Sequence, residues 1–135
     1  MPSYKLWGPL TLSRAHRQPC AATTLIFVAV EPAGSPVLSG GEPGAHKIEG
    51  IGIGFIPPLW KASMADEIMV VSSEEAKSMA RRLASQEALF AGTSSGANVV
   101  AAIRVAKRLG PGHTVVTLLV DSGLKYLTTD LYTGS

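Results

Sequence analysis

Three short stretches carry residue types that could do chemistry. The first is Asp121-Ser122-Gly123, which stops the β-branched, nearly uninterrupted apolar run T-V-V-T-L-L-V over 114–120. In open α/β sheets ligands bind outside the carboxyl ends of the strands, so the Ser122 hydroxyl is the first candidate for a cofactor contact. Asp-Ser-Gly is also common turn chemistry, and an ordinary turn explains it as well. The second stretch is G-I-G-I-G-F-I-P over 50–57. Gly50, Gly52 and Gly54 recur at every second position and let the backbone come close to a ligand. The third is Gly92-Thr93-Ser94-Ser95-Gly96, with hydroxyls and backbone N–H groups at the start of a helical pattern. Such an end attracts phosphate or carboxylate. N-capping by Ser94 or Ser95 with close packing explains it equally.

Several familiar chemistries are disfavoured by spacing. The third glycine of 50–54 falls one place too early for the dinucleotide fingerprint, and no P-loop lysine follows Gly96. Gly-x-Ser-x-Gly is absent, and no Asp…His pair follows in triad order. His16, His46 and His113 lie far apart without acidic partners at ligand spacing, so no metal site is expected and each reads as a surface or loop histidine. Lys47, in A-H-K-I, is an amine beside the glycine run, but nothing around it forces a lowered pKa, and a structural role is expected.

The elements that position these stretches alternate between strand and helix. Residues 25–30 (L-I-F-V-A-V) and 115–120 read as buried strands of one parallel sheet, apolar on both faces. The segment between Glu31 and Pro43, rich in proline and glycine, is loop. Residues 67–71 form a short strand. Ser72 with Glu75 makes a capping box for a helix whose apolar face carries Ala76, Met79, Ala80 and Leu83. Lys77, Arg81 and Arg82 are expected to face water. Residues 90–92 read as a very short strand. A second helix opens at 93–96 and ends at Gly110-Pro111, and a short helix over 124–131 closes the chain. The fold class is α/β, a partial parallel sheet flanked by helices.

The 135 residues suffice for one domain with its own core, and 46% apolar against 16% charged residues indicate a globular chain. A net charge of +2 without a basic stripe gives no argument for nucleic acid. The single cysteine, Cys20, fits a reducing, cytoplasmic setting, and no apolar run reaches membrane-spanning length. Residues 1–24 carry Lys5, Arg14 and Arg17 without an acid, a faint hint of a transit peptide. They read more simply as a poorly ordered leader that packs on nothing, with residues 25–135 as the folded unit.

Taken together, V-E-P-A-G-S-P-V-L-S-G-G-E-P-G-A-H-K-I-E-G-I-G-I-G-F-I-P over 30–57, then A-G-T-S-S-G-A-N-V, then V-D-S-G-L-K-Y-L, resemble the cysteine synthase (O-acetylserine sulfhydrylase) and cystathionine β-synthase family. The resemblance runs from about Val28 to Tyr132. It implies the C-terminal part of the tryptophan-synthase-β-like (type II) pyridoxal-phosphate fold. It further implies β-replacement of O-acetylserine by sulfide to give cysteine. By this resemblance Ser122 matches the serine that hydrogen-bonds the cofactor's pyridine nitrogen. Gly50, Gly52 and Gly54 match a run lining the cofactor cleft, and residues 92–96 match a helix-opening loop behind it. The family's cofactor-holding lysine (in Ser-x-Lys-Asp), substrate loop (Thr-Ser-Gly-Asn) and phosphate cradle (Gly-Thr-Gly-Gly-Thr) have no counterpart here. No residue is therefore assigned a catalytic role. The chain reads as a truncated or split cysteine synthase, inactive alone. The resemblance also implies a homodimer and serine acetyltransferase as partners. A non-catalytic interaction module and a gene remnant are the alternatives.

Overall fold

The computed structural model describes residues 3–7, as backbone, and residues 25–133. Four strands form one sheet in the order β3-β2-β1-β4, with every neighbouring pair parallel. They are β1 (Ser3–Trp7), β2 (Leu25–Pro32), β3 (Glu67–Val71) and β4 (Thr114–Val116). Helices α1 (Ser73–Glu87) and α2 (Thr93–Leu109) connect β3 to β4. The core is built from Val28, Val30 and Val71 of the sheet, Ala76 of α1, and Ala97, Val100, Ala101 and Val105 of α2. Ile48 and Ile51 of the long β2–β3 connection join it. No helix among the described residues is long and apolar enough to cross a membrane.

Local chemistry explains the helices. The Ser72 hydroxyl accepts from Glu75 N–H, and the Glu75 carboxylate accepts from Ser72 N–H, the expected reciprocal cap. Small residues let the two helices touch. A Cβ added to Gly96 would lie 2.0 Å from the Ala76 carbonyl oxygen. The cap of α2 is Gly92, and no side chain closes it. Ser95, one of the expected caps, instead accepts from Val120 N–H at 2.9 Å, and the Asn98 amide donates to Leu118 O at 3.0 Å.

Three expectations fail. Ser3–Trp7, read as part of a leader that packs on nothing, pairs in parallel with β2 on one side and β4 on the other. A ladder is made by backbone groups, and S-Y-K-L-W carries too weak an apolar signal to announce one. Residues 8–24 lie outside the described residues. The run 115–120 is not buried on both faces. Among the described residues it pairs through β4, an edge strand, and Val116, Leu118, Leu119 and Val120 are 42–47% exposed. Lys77 does not face water. It is 4% exposed and donates to Asp130 at 2.6 Å. Arg81 donates to the carbonyls of Asp130 and Leu131, both at 2.6 Å. The C-terminal segment folds back over this face of α1, which helical periodicity alone cannot anticipate.

Candidate functional site

The glycine run is set in an unusual backbone by its surroundings. Gly50, Gly52 and Gly54 all have positive φ, 86°, 62° and 81°, a region that side chains rarely allow. Buried Ile48 and Ile51 root the run in the core. Glu49 N–H donates to the Thr93 hydroxyl at 3.1 Å, which fixes the run against the start of α2. The His46 ring reaches forward to the Gly52 carbonyl at 2.8 Å.

These glycines form one wall of a cavity of about 430 Å³, with β2 from Phe27 to Glu31 as another. Phe55 and Trp60 make it largely apolar, and Val120 closes it on the β4 side. Glu31 is buried, and both its oxygens are engaged by the loop that follows. Leu38 N–H donates at 2.8 Å, Ser39 N–H at 3.1 Å, and the Ser39 hydroxyl also donates. This holds Ser35, Val37 and Leu38 at the cavity. The Ser35 hydroxyl is buried there without a partner among the described residues. No lysine occurs among the described lining residues. Lys47 pairs instead with Asp130 at 3.4 Å. Sequence reasoning missed Glu31 and His46 as organisers of these loops. The only signal was a carboxylate and a ring placed at the ends of glycine-rich segments.

Ser122 does not line the cavity. It forms an antiparallel bridge with Ala91, while Gly92 N–H donates to Asp121 O at 3.2 Å. Its hydroxyl oxygen accepts from Leu124 N–H at 3.3 Å, capping the 3-10 turn Gly123–Tyr126. Asp121 Oδ2 accepts from the Tyr126 hydroxyl at 2.7 Å and from Lys125 at 3.2 Å. Burial first, and then the Asp121 hydrogen bond, raise the Tyr126 phenol above its ordinary value. Gly92 is required here, since a Cβ would sit 2.3 Å from Asp121 Oδ1. The two candidate stretches thus meet at one place. Thr93 holds Glu49 beside Gly50, and Gly92 holds Asp121 beside Ser122. Ser122 is exposed and neutral, and one lone pair of its oxygen accepts from Leu124 N–H. Its own hydrogen is left to donate, which fits the ring nitrogen of a pyridine cofactor.

The family model for pyridoxal-phosphate dependent enzymes matches residues 12–121. The chain belongs to that family, whose members depend on pyridoxal phosphate. Within it, the chain is similar to a cysteine synthase of Staphylococcus aureus. The two are 53% identical over 106 residues, which make up 78% of this chain and 34% of that relative. Among solved structures, an O-acetylserine dependent cystathionine beta-synthase from Helicobacter pylori superposes with a TM-score of 0.84 at 38% identity. That match covers 96% of this chain and 44% of the other. An O-acetyl serine sulfhydrylase isoform 3 from Entamoeba histolytica gives 0.78 at 42% identity, covering 82% and 33%. The fold is therefore tryptophan-synthase-β-like. The chain spans about a third of the length of the curated relatives it matches.

Proposed function

We propose that this chain is the C-terminal, cofactor-facing part of a cysteine synthase-type enzyme. The reaction replaces the acetoxy group of O-acetylserine, or the leaving group of a related β-substituted serine, with sulfide. With O-acetylserine the products are cysteine and acetate. Pyridoxal phosphate, when bound, supplies the electron sink for this β-replacement. Ser122 donates its hydrogen to the ring nitrogen and, being neutral, brings no charge there. Gly50, Gly52 and Gly54 present backbone to the cofactor. Thr93 and Gly92 hold these two stretches in place. What supports the reading is the convergence of the left-handed glycine run and the Asp121-Ser122 turn on the start of α2. The setting is the cytoplasm, with a second copy of the chain and serine acetyltransferase as partners.

The isolated chain makes no cysteine, because the family's lysine, substrate-loop and phosphate-loop motifs are absent from its 135 residues. The test is pyridoxal phosphate titration by absorbance, with cysteine assayed from O-acetylserine and sulfide. The expected outcome is no covalently held cofactor and no turnover by the chain alone. Turnover should appear when the N-terminal two-thirds of a relative is supplied in trans. Ser122→Ala removes one hydrogen bond, worth about 1 kcal/mol, and weakens cofactor binding several-fold. A single lysine trapped by borohydride in a chain that turns over alone would show the chemistry to lie elsewhere, for instance at Lys47.

A second reading is a non-catalytic interaction module. The exposed Leu118, Leu119 and Val120 favour it. Failure of the trans-complementation together with a stable stoichiometric complex would select this reading.

A further inference from the structure

We propose that His46 is the positioning residue of the glycine run. It is a neutral imidazole with its proton on Nε2, and it selects the backbone conformation of Gly52. The tautomer follows from two independent contacts. Ile48 N–H points at Nδ1 from 3.3 Å, and an amide N–H can only donate, so Nδ1 is an unprotonated acceptor. The Gly52 carbonyl can only accept, and it lies 2.8 Å from Nε2, so Nε2 carries the hydrogen. Both ring nitrogens are thereby taken up by backbone.

The ring closes the loop 46–52 on itself. Inside that loop Ile48 and Ile51 are anchored in the core, and Glu49 is tied to Thr93. These anchors leave the Gly52 peptide as the element still able to turn. A glycine at φ 62° has other basins within easy reach. The Nε2–H bond to its carbonyl picks one of them. The fit is mutual: a Cβ at Gly52 would fall 2.7 Å from Nε2 and 2.3 Å from Cγ of Pro32, at the end of β2. Ring, glycine and proline therefore interlock, and the ring's placement is read out at the cavity wall that Gly50, Gly52 and Gly54 share. The importance of that wall for the cofactor rests on the function proposed above. The clamp itself does not.

The experiment uses the whole chain and two variants, His46→Ala and His46→Gln. The glutamine amide can reach the Nε2 position and donate to the Gly52 carbonyl. Long-range ¹H–¹⁵N spectra of the imidazole should show the Nε2-protonated tautomer. The opposite tautomer, or an average of the two, overturns the proposal. In His46→Ala, amide exchange at Gly52–Gly54 should accelerate about tenfold, as expected for one lost hydrogen bond, while exchange in α2 stays unchanged. His46→Gln should restore most of that protection. Pyridoxal phosphate affinity should follow the same order, falling about tenfold in the alanine variant and recovering in the glutamine one. A merely structural role would lower protection in α2 and the run alike, without rescue by glutamine, and would overturn the proposal. If the tautomer and exchange results hold while supplying the N-terminal part in trans yields no turnover, the clamp is supported and the proposed function fails.

Discussion

At the α1–α2 seam, Gly96 lies against the Ala76 carbonyl, and Ala97 and Ala101 are fully buried. At the strap over 117–120, larger apolar residues stand nearly half exposed. Among the described contacts, its backbone hangs on Ser95 and Asn98. The more hydrophobic sequence is thus in the less buried place. Burial follows the number of elements that close over a segment: the strap continues past the last paired residue of edge strand β4, while the seam lies between two helices. Seam contacts should therefore govern global stability, and strap contacts only local order.

The comparison breaks most visibly at Gly96. Gly96→Val drives side-chain atoms into the α1 backbone and should cost about 3 kcal/mol, measured by urea unfolding. A cost near zero would mean the seam is not close-packed. Next, Val28→Ala in β2, at 1% exposure, should cost about 2 kcal/mol. Val116→Ala in β4 should cost less than about 0.5 kcal/mol. Equal costs would erase the distinction between the two regions. Between those two costs, Ser95→Ala and Asn98→Ala each remove one bond to the strap. Each should cost about 1 kcal/mol, seen mainly as faster amide exchange around Val120.

The smallest effect is a pH dependence at the C-terminal clasp. The hydrogen bond from Lys77 holds the Asp130 carboxyl below its ordinary value, against an opposing effect of burial. A depressed folded-state pKa stabilises the fold above the unfolded value of 3.8, and that stability is lost as pH falls through the folded value. The melting temperature should therefore decline in acid below about pH 4, and Asp130→Asn should flatten that decline. An unchanged slope would place the acid sensitivity elsewhere.

Much of this was legible in the sequence. L-I-F-V-A-V became β2, the Ser72–Glu75 box became the cap of α1, and Gly110 ended α2. The glycine spacing announced close backbone approach, and all three φ values are positive. Non-local events escaped. Lys77 occupies a helix position that only the returning C-terminal segment buries. The run after Thr114 had the composition of a central strand, yet composition states a preference for cover rather than its supply. Ser122 was read both as a cofactor contact and as a turn residue, and its Leu124 contact serves the turn while leaving its proton free for the other role.

The place of β1 has a consequence for how the chain assembles. Ser3 pairs with Leu25 on one edge and with Thr114 on the other, so β1, the earliest in sequence of the four described strands, is an inner strand of the sheet. Its second edge waits for residues 114–116 to emerge. Pairings so distant in sequence carry a loop-closure cost before they return any contact. The sheet should therefore zip at β2 early and at β4 late. Through most of synthesis β1 offers an open edge to whatever strand arrives first.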